Sequence, residues 1–441
     1  MGFHETTERF REFARHSRDV VLLAAITGVV TGFGVALFER LVVDGMLDHV
    51  LELSPWLLAF VPLVGLAVAW LALHFVARSE SPATADAYLH AFHDQEHPLR
   101  LREVPGRMIA AVATLGAGGA MGMEGPSLYL GASVGTFLQR RFRWMTEGSS
   151  QRVLLVAGAA AGVAAIFKAP ATGAVFALEV PYQEDLARRM LLPALVASAS
   201  GYLSFVAVNG TAPLLLVRGS APFSFGDLAG AVLLGAVAGL FARAFAWLVR
   251  QAKAFQARTP PVVHVLAGGL GMAAIFGLAY ALTDQPVTVG VGYGTIAWAS
   301  TEHAIWLLLV ILLLRCLATA ATVAGGGAGG LFIPLVVGGA LLGRITAEVI
   351  GDPKSTLFVI IGVAAFLGAG YRVPLAAVMF VAEASGRPGF VVPALLAAVA
   401  ASLVMGRASV SAYQRPTAMP VPPSAERPPS DDPPGHDPPE E

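Results

Sequence analysis

Apolar runs recur along almost the whole chain, and they constrain its fold more than any other feature. Residues 20–38 form a stretch of 19 residues without a charge. Further apolar runs lie near residues 56–77, 108–123, 153–167, 190–208, 224–241, 261–283, 304–314, 331–343, 357–370 and 390–406. A helix of about 20 residues crosses a bilayer, and only 13% of this chain is charged. The sequence therefore predicts an all-α polytopic membrane protein.

The two ends of the chain differ from the apolar part between them. Residues 1–19 are polar and charged, and no small-residue cleavage site follows the first apolar run, so we expect a cytoplasmic N-terminal segment rather than a cleaved signal peptide. Residues 415–441 are rich in Pro, Ser, Asp and Glu, a composition that cannot bury a core and predicts a disordered tail. The transmembrane domain is therefore predicted to cover residues 20–414.

Composition also excludes several classes of function. The net charge of −1 gives no reason to expect a nucleic-acid partner. Cys316 is the only cysteine and the ten histidines are scattered, so we expect no metal site and no cofactor. The apolar region offers no Ser/His or His/Asp/Glu cluster, which argues against an enzyme. An intramembrane enzyme remains a remote alternative.

An internal repeat connects two distant parts of the chain. Residues 156–179 lie over residues 360–383 without a gap, and the match pairs Glu179 with Glu383. A second pair of segments matches around Pro126 and Pro334, with glycines at the same offsets after each proline. We infer one duplication, with repeats of roughly 20–210 and 224–414. Short, Gly/Pro-broken segments in matching places of two repeats indicate a binding site in a transporter.

Two glycine-rich segments each precede a helix that is predicted to begin at a broken position. One is GAGGAMGMEGP before Pro126, and the other is GGGAGGLFIP before Pro334. Helix N-termini carry free N–H donors and partial positive charge, so these starts are predicted to bind an anion. Glu124 is the single charge between Arg107 and Arg140. Its carboxylate can occupy the anion position when ionised and leave it when protonated.

These segments resemble signatures of the CLC family of chloride channels and proton/chloride antiporters. GMEGP is similar to the family's GxEGP, GGLFIP to its GxFxP, and AGAAAGVAAIFKAPATGAVFALE to the stretch joining its G and H helices. The resemblance spans roughly residues 20–414. It implies a homodimer in the lipid bilayer, in which each protomer has two inverted-topology repeats of broken and tilted helices and its own anion pathway.

The resemblance also implies roles for individual residues. Glu124 corresponds to the gating glutamate, and the backbone amides of Gly125, Leu331 and Phe332 are expected to coordinate the central anion. The family's third anion-binding signature, GSGIP, falls near RSESPATADAYLH, where it is not preserved. Either of two serines in that segment, Ser79 or Ser81, is a candidate for the missing hydroxyl.

Two further positions bear on mechanism. Proton-coupled members usually have a second acid directly after the position of Glu179, and Val180 stands there instead, so a proton-relay position is lost. We expect Glu179 itself to be structural, because Glu383 mirrors it. The family's inner-gate tyrosine falls near SVSAYQ, where Tyr413 offers the side chain and Ser411 is the alternative match.

The sequence thus predicts transport of chloride or a similar small inorganic anion, either channel-like or in exchange for protons. Fluoride or nitrate is the alternative substrate, although the resemblance favours chloride over fluoride, because the family's fluoride-specialised branch usually departs at the proline of the glutamate signature and Pro126 is kept here. We expect a multi-pass location in the plasma membrane, namely a bacterial inner membrane. Arginine clusters before residue 19 and at residues 100–107 predict cytoplasmic placement of both segments, and a third cluster at residues 140–143 complicates the count.

Overall fold

The described residues of this chain form helices joined by short loops. The computed structural model describes residues 3–79, 81–94, 98–145, 152–212, 223–351 and 356–417. The helices are α1 (Phe3–Val42), α2 (Asp48–Leu51), α3 (Pro55–Leu71), α4 (Ala85–His93), α5 (Val104–Gly116), α6 (Glu124–Arg141), α7 (Val153–Phe167), α8 (Pro170–Glu179), α9 (Leu191–Asn209), α10 (Phe225–Arg258), α11 (Pro261–Thr283), α12 (Tyr293–Ala299), α13 (Ile305–Ala324), α14 (Phe332–Val349), α15 (Leu357–Tyr371), α16 (Pro374–Ser385) and α17 (Val391–Met405). Residues 418–441 of the predicted tail lie outside the described residues. The prediction of an all-α chain is confirmed.

Seven helical segments of the described chain are long and apolar enough to cross a bilayer. They are Arg18–Leu51, Pro55–Ala77, Arg188–Asn209, Phe225–Arg258, Pro261–Thr283, Ile305–Ala324 and Phe332–Val349. Four more apolar helices, α7, α15, α16 and α17, are 10 to 17 residues long, which is short of the roughly 20 residues that a full crossing needs. The chain is therefore a multi-pass membrane protein that combines full spans with broken helices.

The two repeats match helix by helix. Helices α6 and α14 both have 18 residues, and α7 and α15 both have 15. Each of the latter two helices ends at a basic residue in the left-handed conformation, Lys168 with φ 53° and Arg372 with φ 57°. Proline then opens the next helix in both repeats, at Pro170 and Pro374. The duplication predicted from the sequence is thus expressed as equivalent local structure.

Glycines allow the broken helices of each repeat to pack at very short range. A Cβ atom at Gly131 of α6 would overlap the carbonyl oxygen of Gly158 in α7, and a Cβ at Gly339 of α14 would overlap that of Gly362 in α15. The two contacts occupy equivalent positions in the repeats. Small residues at helix interfaces are typical of membrane proteins, where backbone proximity supplies the packing energy.

The segment before α5 and the end of α6 lie close together. The guanidinium of Arg140, near the end of α6, donates a hydrogen bond to the carbonyl oxygen of Leu99, just before α5, at 3.1 Å. Both arginine clusters, 100–107 and 140–143, therefore lie on the same side of the fold. This explains why a count of full crossings could not reconcile them.

Glu179 and Glu383 connect the two repeats reciprocally. The Glu179 carboxylate accepts hydrogen bonds from the backbone N–H groups of Leu375 and Ala376, at 3.1 and 2.8 Å, at the start of α16. Glu383, in α16, accepts from the N–H groups of Ala171 and Thr172 at the start of α8, at 2.9 and 2.7 Å. Each carboxylate satisfies free donors at the partner helix N-terminus, which supports the structural role expected for this pair.

Candidate anion site

Three helix N-termini meet at the centre of the fold. They belong to α4, α6 and α14, and Thr84, Glu124 and Phe332 lie at these starts. A Cβ at Gly125 would lie 2.7 Å from the hydroxyl of Thr84 and 3.0 Å from the Cα of Gly330, so the three starts approach one another closely. Converging N-termini supply N–H donors and partial positive charge at one buried point of the fold.

The carboxylate of Glu124 occupies the N-terminus of the opposite repeat. Its Oε1 atom accepts a hydrogen bond from the N–H of Phe332, the first residue of α14, at 2.5 Å. Glu124 is only 2% exposed, and its Oε2 atom has no hydrogen-bond partner among the described residues. The glutamate carboxylate therefore lies at the N-terminus of α14, one of the two helix starts at which the sequence predicts an anion site.

Glycines make room for this carboxylate. A Cβ at Gly122 would overlap Glu124 Oε2, and a Cβ at Gly330 would overlap Glu124 Oε1. The same two glycines form an antiparallel bridge, with Gly122 N donating to Gly330 O at 2.9 Å and Gly330 N donating to Gly122 O at 2.7 Å. Any side chain at either position would push the carboxylate away from α14.

A tyrosine that the sequence analysis did not identify reaches the same point. The hydroxyl oxygen of Tyr371, the last residue of α15, accepts a hydrogen bond from the N–H of Leu331 at 3.3 Å. Because a hydroxyl is both donor and acceptor, its proton remains available to a further acceptor. Aromatic rings surround the site: Phe332 packs against Phe167, with ring centroids 4.2 Å apart, and against Phe380 at 5.0 Å.

A cavity of about 600 Å³ leads from the surface to this site. Leu331 and Tyr371 line the end of the cavity nearest the site, and Tyr413 also lines the cavity. Charged residues that line it form ion pairs: Lys253 pairs with Asp86 at 2.7 Å, and Glu103 pairs with both Arg107 and Arg100, at 2.9 and 3.7 Å. Glu124 is buried just beyond the inner end. We call this cavity the vestibule, and the Glu124 carboxylate lies behind its inner end.

The candidate serines lie along the vestibule rather than at its inner end. The Ser79 hydroxyl accepts a hydrogen bond from Arg107 at 3.2 Å, and the Ser81 hydroxyl accepts one from the N–H of Ala83 at 3.4 Å. The hydroxyl at the centre instead belongs to Thr84, which is fully buried and has no side-chain partner among the described residues. A threonine directly before a helix is an N-terminal signal that could have identified it.

Tyr413 and Val180 lie apart from the central donors. The Tyr413 side chain is 48% exposed, and its ring meets that of His90 with centroids 5.1 Å apart. Val180 is 2% exposed, and its carbonyl accepts a hydrogen bond from the Gln414 amide at 2.9 Å. The signal for Tyr371 was present in the repeat, because it is the one hydroxyl-bearing residue of α15 and lies opposite Phe167 in the alignment.

The fold and the site together define a class of protein. This chain is a multi-pass membrane protein whose broken helices point their N-termini at a buried centre. Among the described residues, no group of three or more His, Cys, Asp or Glu side chains is placed to hold a metal ion.

Comparison with known proteins identifies the family. The family model described as "Voltage gated chloride channel" matches residues 64–406, and the chain belongs to that family. The family consists of ion channels and antiporters, which are transporters rather than enzymes. The resemblance seen in the sequence is confirmed.

Curated relatives match over most of their length. The H(+)/Cl(-) exchange transporter ClcA of Salmonella paratyphi A (strain ATCC 9150 / SARB42) is 28% identical over 412 residues, which cover 87% of this chain and 85% of the relative. The protein of the same name from Citrobacter koseri is also 28% identical, over 407 residues, with the same coverage.

Solved structures show the same fold. A slow cyanobacterial Cl-/H+ antiporter superposes with a TM-score of 0.75 at 21% identity, covering 88% of this chain and 94% of the other. A CLC-type fluoride/proton antiporter gives a TM-score of 0.77 at 23% identity, covering 95% of this chain and 100% of the other. At these identities the likeness establishes the fold, and the substrate has to be argued from the site.

Proposed function

We propose that this protein carries chloride, or a similar small inorganic anion, across a membrane through a pathway that Glu124 gates. The observation that carries the proposal is the hydrogen bond from the N–H of Phe332 to the Glu124 carboxylate. A carboxylate and a free anion compete for one donor, so the pathway is closed while Glu124 is charged and bound. Protonation removes that charge, and the side chain can then leave the donor to the transported anion.

The groups around this donor support an anion site. The backbone amides of Leu331, Phe332 and Gly125 are the expected ligands, and all three lie where the helix starts converge. The hydroxyls of Thr84 and Tyr371 stand in the same place, and we propose that they replace the hydroxyl of the lost GSGIP signature. These donors bind an anion without a full cationic side chain, which allows the anion to leave again.

Substitution of Glu124 tests the gate directly. In liposomes, Glu124→Gln and Glu124→Ala should keep anion flux while removing its dependence on pH. Glu184→Gln is the matched control, because Glu184 is an exposed carboxylate whose ion-pair partner, Arg372, lies outside the site. Loss of all flux in both Glu124 variants, with folding intact, would count against the gate.

The choice of anion is the next question. The relatives named above are chloride exchangers by name, and Pro126 retains the pattern of the chloride-type signature, so we favour chloride. Fluoride or nitrate is the alternative, and one structure with the same fold is that of a fluoride/proton antiporter. Fluxes measured under equal gradients of chloride, nitrate and fluoride would rank the three, and a large preference for fluoride would replace the chloride assignment.

Two modes of transport fit the site. Val180 cannot relay a proton and Glu179 is engaged at the start of α16, which favours uncoupled, channel-like flux. The names of the curated relatives favour proton exchange. An imposed chloride gradient across liposome membranes separates the modes: uphill proton movement would demonstrate coupling through another route, whereas its absence during chloride flux would demonstrate a channel.

Assembly and location are proposed on the same basis. We propose a homodimer in a bacterial inner membrane, with a transmembrane domain at residues 20–414 and a solvent-facing tail after it. Helices α9 and α17 carry exposed leucines suited to an apolar contact, among them Leu192, Leu203 and Leu403. Light scattering of the detergent-solubilised protein would give the mass of the assembly, and the mass of a single chain would contradict the dimer.

A further inference from the structure

Arg315 is a buried cation that the site described above does not use. It lies midway along α13, is 1% exposed, and is one of the largest fully buried side chains in the described chain. One guanidinium nitrogen, Nη2, donates a hydrogen bond to the carbonyl oxygen of Gly290 at 2.5 Å. The Nε and Nη1 atoms have no partner among the described residues, and no described carboxylate forms an ion pair with this arginine. A buried charge without a counter-charge is strongly unfavourable, which makes the unpaired nitrogens a site for an anion.

The position of Arg315 relative to the gate follows from its neighbours. A Cβ at Gly292 would lie 2.8 Å from Arg315 Nη2 and 2.6 Å from Val337 Cγ2, so the guanidinium lies beside Val337. Val337 is five residues after Phe332 in α14, which corresponds to about 7–8 Å along the helix axis. The vestibule lining includes Leu331 but no residue of α14. Arg315 is therefore on the far side of Glu124 from the vestibule.

A loop connects Arg315 to the segment that carries Glu124. We call residues 286–292, between α11 and α12, the covering loop. Gly290 of this loop donates its N–H to the carbonyl oxygen of Gly118 at 2.8 Å and accepts from Arg315 through its own carbonyl. One turn after Arg315, the Thr319 hydroxyl donates to the carbonyl oxygen of Ala120 at 2.8 Å. Both contacts lie within seven residues of the gate.

The covering loop adds a second unused polar group. The hydroxyl of Thr288 is buried and has no partner among the described residues. Gly290 and Gly292, with φ of 73° and 120°, hold the loop in conformations that favour glycine, and this lets its backbone approach the guanidinium closely. The loop thus closes over Arg315 while leaving two of its donor nitrogens unsatisfied.

We propose that Arg315 forms a second anion-binding site on the far side of the Glu124 gate from the vestibule. The ligand is a small inorganic anion of the class that the pathway carries, held by the Nε and Nη1 donors of the guanidinium. The proposal rests on the proposed transport function, because the anion that it assigns to Arg315 is the one that the Glu124 pathway would carry. It assigns to Arg315 the role of receiving that anion and of supplying anions to the gate in the reverse direction.

Bromide, which scatters anomalously, provides a probe for both sites in crystals of the full chain. We expect one anomalous peak beside the Phe332 amide and a second within hydrogen-bonding distance of the Arg315 guanidinium. Arg315→Gln keeps an amide that can donate to Gly290 but removes the charge, and it should lose the second peak only. In planar bilayers, the same variant should raise the half-saturating bromide concentration roughly tenfold on the side facing Arg315, as expected for a lost charge-assisted pair of hydrogen bonds.

Arg344→Gln is the matched control, because Arg344 is also a buried arginine of the second repeat but pairs with Glu348 at 2.6 Å. It should keep both peaks and the half-saturating concentration. A wild-type crystal without the Arg315 peak, or a peak that persists in Arg315→Gln, would overturn this assignment while the Phe332 peak still supports the proposed function. If Arg315→Gln does not fold, the wild-type map alone decides, and a peak at Arg315 without one at Phe332 would overturn the central site instead.

Discussion

Gly122 and Gly330 exchange two backbone hydrogen bonds, of 2.9 and 2.7 Å, and so join the two repeats just before α6 and α14 begin. Neither residue has a side chain, which lets the Glu124 carboxylate lie against both. The proposed gate is therefore built from both repeats at once. The glutamate comes from the first repeat, whereas the donor that holds it, Phe332, comes from the second.

A methyl group added at Gly330 should displace the Glu124 carboxylate from its closed position. Its Cβ would overlap Glu124 Oε1, and overpacking of this kind costs about 1–3 kcal/mol, or roughly a 5- to 150-fold loss of the bound state. We therefore expect Gly330→Ala to conduct at high pH, where the wild type is closed. Flux in liposomes at several pH values measures this.

The control for that prediction is Gly277→Ala in α11, where no heavy atom lies within 4 Å of the added methyl group. The anion flux of this variant should depend on pH as that of the wild type does. A Gly330→Ala protein that folds and still closes at high pH would show that the carboxylate is not held against this glycine.

Removal of the Tyr371 hydroxyl should weaken anion binding. A hydrogen bond to a charged group contributes about 1.5–3 kcal/mol, so Tyr371→Phe should lower anion affinity at least roughly tenfold. Titration calorimetry of the purified protein with chloride measures the change. Tyr413→Phe should leave the affinity unchanged, since that ring contacts His90 rather than the central donors. The opposite ranking would return the inner-gate role to Tyr413.

Glu179 and Glu383 should both stabilise the fold. Each carboxylate accepts two backbone N–H groups at a helix start of the other repeat, and Glu383 also accepts a hydrogen bond from the Thr172 hydroxyl at 2.6 Å. Neutralising either, as Glu179→Gln or Glu383→Gln, should cost about 1–2 kcal/mol and lower the apparent unfolding midpoint. Thermal unfolding in detergent tests this. A Glu179→Gln protein with normal stability but altered proton movement would instead make Glu179 a proton carrier.

His93 should make stability depend on acid pH. It lies at the end of α4, outside the seven candidate spans, and donates its Nε2 proton to the carbonyl oxygen of Pro181 at 2.7 Å. Burial, the larger effect, lowers the pKa of His93 to about 4, although the hydrogen bond to Pro181 raises it. The folded protein therefore favours the neutral ring, whereas the unfolded chain takes up a proton near pH 6.5.

The sign follows from this linkage: stability from His93 is fully present above about pH 6.5 and is lost as the pH falls towards 4. Because the ring is partly exposed, solvent screening limits the loss to about 1–2 kcal/mol. We expect the thermal unfolding midpoint of the wild type to be lower at pH 5 than at pH 7. The decrease should be smaller in His93→Gln. Equal slopes in the two proteins would show that His93 does not contribute.

The amino-acid sequence alone determined the fold class and the internal repeat of this protein. The apolar runs predicted an all-α membrane protein, because a bilayer accepts backbone only where its hydrogen bonds are satisfied internally. The repeat paired Glu179 with Glu383, and the glycine-rich segments predicted an anion site at the helix starts near Glu124 and Phe332. These features are local or periodic, so they can be read from residue types and spacing alone.

Tertiary structure decided which distant groups meet. Thr84 and Tyr371 reach the central donors, rather than Ser79, Ser81 or Tyr413, because helix packing sets which hydroxyl points inwards, and the GSGIP pattern that would have marked the position is gone. The two arginine clusters share one face because the end of α6 lies close to the segment before α5. Arg315 looks like an ordinary span residue in the sequence, and only its packing against the covering loop shows that its charge is buried with two donors unused.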